Sequence, residues 1–344
     1  MTSGNAPEKA QATLSRFVAT IRNHPHYKNQ LQDVTTRDQI RQIVWQLDGD
    51  FPGWRGYFNR QAGYAHAANA LFAVYRAAAA KGVKFFLGPE HGHVTELVSS
   101  PSSSSNGGGG GKTTGVRTKS GKVLPAELTI VACGAAAATL VPAAAQQVIA
   151  KSWSLAHVEL TDDETAALRG IPVTYARDLG FLFEPDPKTN LLKICPMGGG
   201  YVNTDPVTGR SLPPKTSEES NVLPEEDEGR IRQLLREVLP ALAERPLVEK
   251  RLCWFADTKD SDFIVDYVPG SAQSVVLLSG DSGHLFKMLP LTGHWVHRLV
   301  TDGRQDVARW RWKAGDDSKA KWEGDVSWRL GVTREFSEVR RSKL

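Results

Sequence analysis

Cysteine is scarce in these 344 residues: Cys133, Cys195 and Cys253 stand far apart, with no C-x-x-C spacing. That argues against a disulfide framework or a structural zinc site and suits a reducing intracellular compartment. A dominant charge is missing too. The 42 Lys and Arg against 38 Asp and Glu leave a formal net charge of only +4. With no basic stripe interleaved with aromatics, nucleic acid is not an expected partner, although a weak attraction for small anions remains. No apolar run approaches the roughly 20 residues that cross a bilayer, so no membrane association is expected. The opening MTSGNAPEKAQ has no apolar core and does not read as a signal peptide.

What is present reads as globular. A hydrophobic content of 40% and a charged content of 23% allow a sizeable core, and the length suits two ordinary domains or one composite one. The last three residues, Ser342, Lys343 and Leu344, form a terminal S-K-L, a receptor-read peroxisomal address at the end of a polar tail. A peroxisomal location and an import receptor as partner are therefore expected.

Along the chain, residues 1–35 read as a polar lead-in with one amphipathic stretch, Leu14–Ile21. Thr36 with Gln39 reads as a capping box opening a helix whose stripe is Ile40, Ile43, Val44 and Leu47. An alanine-rich helix is expected over Ala62–Lys81, stopped by Gly82. Val83–Leu87 and Val94–Val98 read as short strands, and residues 99–111 as a flexible Ser/Gly-rich loop. A hairpin over Val116–Leu124 turns at Ser120-Gly121, and Leu128–Cys133 reads as a buried strand. From Lys151 the pattern is that of an antiparallel sheet, with strands at Trp153–Leu160, Pro172–Ala176, Gly180–Glu184, Leu191–Cys195, Leu252–Phe255, Phe263–Tyr267 and Ser274–Leu278. A helix over Glu226–Glu244 crosses it, and the tail from Gln305 is expected to lie irregularly on the surface.

Two motifs are misleading. Gly107–Gly111 with Lys112-Thr113 imitates a P-loop, but Asn106 stands where glycine is required and no apolar strand precedes it. Gly280-Asp281-Ser282-Gly283 imitates a serine-protease nucleophile segment. That chemistry needs a His base and a buried Asp from β-barrel strands, whereas His66, the nearest candidate, falls on an expected helix. Residues 280–287 do offer a strand, a small-residue turn and a helix start. On these residues alone the turn is either a cradle for a ring or anion or an ordinary β–α connection. Cys253 is likewise either a buried core residue or a reactive one.

Several blocks in order lean one way. Gly53-Trp-Arg-Gly56, Gly63-Tyr-Ala-His66, Gly180-Phe-Leu-Phe-Glu-Pro185, Leu192-Lys-Ile-Cys195, Arg251-Leu-Cys-Trp-Phe-Ala-Asp-Thr258, Gly280-Asp-Ser-Gly-His-Leu-Phe-Lys287 and Asp325-Val-Ser-Trp-Arg329 resemble the monomeric sarcosine oxidase family. Within it the match is closest to the fungal fructosyl amino acid oxidases (amadoriases) and the saccharopine or pipecolate oxidases. The resemblance covers most of the chain from about residue 50 onward. It implies an α/β (α+β) fold: an incomplete FAD-binding Rossmann-like domain plus an antiparallel-sheet substrate domain. The division expected is 1–150, a remnant of the FAD-binding domain with its Ser/Gly-rich loop at 99–112; 151–270, the substrate domain; 271–304, a return to the FAD-binding domain; and 305–344, the tail.

The resemblance also implies roles. Cys253 matches the cysteine bonded to the flavin, and Lys193 the lysine beside the flavin that promotes oxygen reduction. Lys287 matches the lysine that pairs with the substrate carboxylate. A lysine inside an apolar Phe-Lys-Met-Leu stretch also calls for a buried partner. Gly280, Ser282, Gly283, His284 and Phe286 would form the turn lining the flavin, while Val94, Cys133 and Gly134 would sit at strand ends near its adenosine part. The implied function is FAD-dependent oxidation of the C–N bond of a secondary-amine amino acid, of sarcosine, pipecolate, saccharopine or fructosyl type, yielding an imine and hydrogen peroxide.

Departures exist. No G-x-G-x-x-G occurs, and about the first hundred residues implied by the likeness, which would carry that turn, have no counterpart. Met197 replaces a substrate-binding glutamate of amadoriases, Leu285 replaces a glycine, and Asp281 is unusual in the turn. The alternative expectation is a flavin-free, inactive truncated relative or a binding protein.

Overall fold

The computed structural model describes residues 1–100, 111–313 and 330–339. Most of the Ser/Gly-rich stretch, the Asp325–Arg329 block and the terminal Ser342, Lys343 and Leu344 lie outside the described residues.

The amphipathic stretch Leu14–Ile21 lies in a helix longer than expected, and the residues ahead of it are more than a polar lead-in. Helix α1 (Glu8–Arg22) buries Ala10, Thr13 and Leu14, and strand β1 (Leu31–Val34) follows it. Ahead of them Thr2 is fully buried and bridges Arg55, and the Met1 amine donates to the Tyr175 carbonyl at 2.7 Å. Burial, aided by the charge of Arg177, depresses that amine to about 5. In helix α2 (Arg37–Ile43) the Thr36 hydroxyl accepts from the Gln39 N–H, as the capping pattern requires. The Gln39 side chain, however, accepts from Thr35 rather than from Thr36. Strand β2 (Gly56–Asn59) pairs antiparallel with β1.

Helix α3 (Ala67–Ala80) starts later than expected, capped by the His66 ring, and none of its residues is buried. After it Val83–Leu87 pairs with no strand among the described residues, and Leu87 is 66% exposed. Apolar, β-branched and aromatic content alone does not make a strand without a ladder partner. Strands β3 (Val94–Ser99), β4 (Thr113–Thr118) and β5 (Val123–Pro125) form the expected meander, with Gly121 at φ +84° in the turn. Strand β6 (Thr129–Val131) is only half-buried, since Ile130 is 47% exposed. Short helix α4 (Ala137–Leu140) follows.

Strand β7 (Ile149–Glu159) is the axis of the large sheet. Beyond helix α5 (Asp162–Ala167) come β8 (Thr174–Ala176), β9 (Gly180–Leu182), β10 (Leu191–Pro196) and β11 (Tyr201–Val202). Helix α6 (Glu225–Val238) opens on four acidic residues, as the dipole favours. It stops short of Glu244 because Pro240 offers no N–H and forces Leu239 out of helical geometry, at φ −140°. Strands β12 (Leu247–Asp257), β13 (Ile264–Tyr267) and β14 (Val275–Ser279) follow, then helix α7 (Leu289–Asp302) and β15 (Arg334–Glu335).

In the seven-stranded sheet β7 pairs antiparallel with β12 along one edge, and with β11 and β10 along the other. Its back face carries the main core: Ala156, Val158, Leu192 and Ile194 pack on Ile231, Leu234 and Leu235 of α6. A second sheet runs β13-β14-β6, with β14 and β6 parallel, and α7 covers one of its faces through Val296 and Leu299. The tail from Gln305 is not merely superficial. Gln305 is buried and donates to the Val265 carbonyl at 2.6 Å, while Trp310 packs on Phe263 and Trp295.

Candidate functional site

Strand periodicity sets which side chains meet. In β7 the half-buried Trp153, Leu155 and His157 alternate with buried Ser154, Ala156 and Val158, whose face lies on α6. The register sets Lys193 opposite His157 and Cys253 opposite Trp153. Positions 157 and 153 share parity, so Lys193 and Cys253 share the front face, while Leu192, Ile194 and Leu252 fill the back. Phe181 lies opposite both Cys195 and Tyr175 and belongs to the same front row. Cys253 and Cys133 are exposed, whereas Cys195 is buried. Burial pushes the Cys195 thiol up to about 12, against the pull of Lys193 and with the push of Cys253, so both act on one point of this face.

The turn after β14 approaches that face edge-on. Gly280 (φ +74°), Ser282 (φ +45°) and Gly283 (φ +73°) all take left-handed backbone conformations. A Cβ on Gly283 would lie 2.8 Å from the Trp153 ring, and one on Gly280 would lie 2.6 Å from Thr258, so this close approach requires glycine at both positions. Ser282 is buried: its N–H donates to the Ala256 carbonyl, and its hydroxyl accepts from the Thr258 N–H at 3.2 Å. Asp281 accepts from the N–H groups of Ala256 (2.9 Å) and Gly283 (3.0 Å). Burial raises its carboxyl above the ordinary range despite those bonds. An aspartate unusual by resemblance thus acts as the clasp of the turn.

Beyond the turn His284, Phe286 and Lys287 border a cavity of about 800 Å³ whose other wall includes Trp153, Phe181 and Met197. Lys287 is exposed, so the expectation of a buried partner fails: it stands on a single 3-10 turn, Leu285–Met288, beside exposed Phe286 rather than inside an apolar core. A neighbouring cavity of about 460 Å³ shares Tyr64, Ala65 and Phe183 with the first and contains Lys193, His157, Glu249 and Asp186. Lys193 Nζ lies 5.7 Å from the Phe183 ring centre, and His66 Nε2 lies 3.7 Å from Asp186. Burial depresses His157 below the ordinary imidazole range, with Lys193 acting in the same sense and Glu249 against. The Tyr64 hydroxyl donates to Glu184 at 2.6 Å, which pushes its pKa up to about 12.

Of the residues singled out from sequence, Lys193, Cys253, Ser282, Gly283, His284, Phe286 and Lys287 thus gather about one sheet face and its facing turn. Gly280 shapes the turn from outside the cavities. Val94 opens β3 in the meander, and Cys133-Gly134 leads from β6 into a turn that packs on β12 and β14; neither lines either cavity. Trp153, Tyr175 and Arg177 were not singled out. Strand alternation is the signal for Trp153 and Tyr175, whereas Arg177 stands in the turn between β8 and β9, where alternation gives none.

The ring end of a flavin fits this arrangement. Aromatic side chains, an exposed thiol and a cation on one face, with a glycine turn closing over it, offer a surface that could hold a flat ring. For the nucleotide end, no glycine-rich strand–turn–helix occurs among the described residues.

The family model for FAD dependent oxidoreductase (DAO) matches residues 6–299. L-saccharopine oxidase of Schizosaccharomyces pombe is 31% identical over 303 residues, covering 85% of this chain and 69% of that protein. Amino acid oxidase imqH of Aspergillus flavus is 27% identical over 311 residues, 76% of this chain and 63% of its own length, so this chain spans less than two thirds of that relative. Among solved structures, the fructosamine oxidase Amadoriase II of Aspergillus fumigatus superposes with a TM-score of 0.83 at 32% identity, covering 98% of this chain and 76% of the other.

Proposed function

The chain belongs to the DAO family of FAD-dependent oxidoreductases, and on that premise we propose that it oxidises the C–N bond of a secondary-amine amino acid. The single observation that carries this reading is the gathering of Lys193 and Cys253 on one sheet face under a Gly283 turn that also delivers Lys287. Bound FAD would supply the hydride acceptor and pass the electron pair to oxygen, giving an imine product and hydrogen peroxide. Lys287, exposed at the cavity edge, holds the substrate carboxylate. Phe181, Phe183 and Trp153 exclude water and orient the amine. Lys193 keeps a fixed positive charge where oxygen gains negative charge.

Cys253 is proposed as the point of covalent attachment, because its thiol is exposed on the same face. Wild-type protein expressed with ample riboflavin is expected to give a yellow pellet after acid precipitation, whereas Cys253→Ser should release all colour to the supernatant. A colourless native protein, even after incubation with FAD, would falsify flavin catalysis by this chain.

We also propose peroxisomal delivery through Ser342, Lys343 and Leu344. A fluorescent protein fused ahead of the chain is expected to be punctate, and removal of those three residues should leave it diffuse. Unchanged puncta would dismiss the signal.

A further inference from the structure

The cavity that holds Lys193 also contains a histidine that the proposed reaction does not use. His157 stands on β7 directly across the ladder from Lys193 of β10, and both line the same space. Opposed side chains of an antiparallel pair start about 5 Å apart, so ring and ammonium are neighbours. On its other side β7 meets β12, where Val248 lies opposite His157 and the register slips before Arg251. Glu249 occupies that bulge at φ +46°, a conformation that carries strain for a residue with a Cβ. The bulge re-aims its carboxylate, and Oε2 comes within 3.9 Å of His157 Nδ1. The Glu249 side chain is 62% exposed and that of His157 only 15%, so the pair leads from water towards the sheet. Glu184, Asp186, Lys188 and His66 also line this cavity of about 460 Å³, with Tyr64 donating to Glu184 and His66 facing Asp186.

We propose that His157, supplied by water at Glu249, returns to Lys193 the proton that its ammonium gives to oxygen. The inference rests on the reading of Lys193 as the residue beside the oxygen reaction. Reduction of oxygen to hydrogen peroxide takes two electrons and two protons. The reduced flavin supplies the electron pair and one proton, and the second comes from water. An N–H bond of Lys193 breaks as an O–H bond forms on the nascent peroxide. An N–H bond of the charged His157 ring then breaks as the amine regains its proton, directly or across one cavity water, and the ring draws another from water beside Glu249. The positive charge that Lys193 keeps at this point is thereby restored in every turnover. Burial holds the ring below the ordinary imidazole range, with Lys193 and Arg251 acting in the same sense and Glu249 against. A ring that is a stronger acid than usual passes its proton downhill to an amine.

Two measurements test this role. In the full chain without flavin, carrying isotope-labelled histidine, the His157 signal is the one lost in His157→Gln. NMR titration should find its midpoint lowered by about 0.5 in Glu249→Gln and raised by a similar amount in Lys193→Met, since the carboxylate favours the charged ring and the ammonium disfavours it. In the flavin-loaded protein, reduced photochemically so that no amine is needed, mixing with oxygenated buffer reads the oxygen step alone. Its rate should be greatest below the His157 midpoint, where the ring is charged, and fall as pH rises through it. His157→Ala should lower that rate about 10²-fold, and imidazole added to the buffer should restore most of it, a rescue that a packing role would not allow. Glu249 is exposed, so Glu249→Gln decides the matter even where a His157 variant does not fold: its rate decline should shift with the NMR midpoint. Unmoved midpoints, a full oxygen rate in His157→Ala, or a loss that imidazole leaves unrescued would overturn the assignment. Protein that takes up no flavin would sink the oxidase reading and this role with it, whereas a loaded protein whose oxygen step ignores His157 would sink the role alone.

Discussion

Replacing Lys193 with methionine is expected to lower oxygen consumption by about 10² to 10³-fold while substrate oxidation in the absence of oxygen stays nearly unchanged. Lys193 is half-buried on the front face, with its ammonium 5.7 Å from the Phe183 ring centre and His157 across the ladder. Methionine keeps the length of the side chain and removes only the charge. Oxygen must accept negative charge during its reduction, and a fixed ammonium on the face where it reacts would stabilise that charge. Rapid mixing of substrate-reduced, flavin-loaded protein with oxygenated buffer isolates that step. Lys193→Arg should recover part of the rate, because it restores charge with altered geometry. An oxygen rate in the methionine variant equal to that of wild type would remove Lys193 from the proposal and leave only a lysine at a cavity wall.

The second large effect is on stability and lies behind the site. Asp227 on α6 accepts from the Tyr201 hydroxyl at 2.9 Å and from the Ser154 hydroxyl, and pairs with Arg230 at 2.9 Å. Ser154 precedes Leu155 on β7 and follows Trp153, so this carboxyl ties the helix to the strand that floors the cleft. Asp227→Ala leaves a buried hydroxyl on each of two strands while Arg230 keeps its pair with Glu226, a loss expected to cost about 2–4 kcal/mol in urea unfolding. Burial raises the Asp227 carboxyl above its ordinary range, against the pull of its donors. Folding therefore disfavours its ionised form, and its stabilising contribution is fully present below the ordinary carboxylate value and declines as pH rises through the raised one. The difference between wild type and variant should thus be larger near pH 4 than near pH 7. A difference under about 1 kcal/mol at both values would show that the network is replaceable by water.

Much of this was legible in the sequence because local rules and tertiary demands agreed. Leu192-Lys193-Ile194-Cys195 alternates as a half-buried strand must, and its lysine does point away from the core. Thr36 caps its helix, and Gly280 and Gly283 occupy positions that no other residue fits. What was illegible depended on partners far away in the chain. Val83–Leu87 has strand composition, but composition does not reveal whether a neighbouring strand exists to pair with. Lys287 sits among apolar residues, yet a 3-10 turn rather than a regular helix lifts it to the surface. Met1–Ser3 look like a polar terminus, and only the fold shows Thr2 bridged to Arg55 and Ser3 bonded to Asp178. Arg177 gave no motif at all. Its place in the cavity comes from the turn after β8, where its guanidinium reaches the Tyr175 hydroxyl, and from Phe17 arriving on a separate helix.

The alternation of β10 has one more consequence. If that strand were to slide by a single residue against β7, the ammonium of Lys193 would be driven under α6 and the aliphatic Leu192 and Ile194 would be turned into the cleft. Such an isomer would bury an unmatched charge and expose core side chains, so it is not a stable trap. A cation that must stay wet and two neighbours that must stay dry therefore act together as a proofreading device for assembly, and a correctly seated sheet carries its chemistry in the correct orientation.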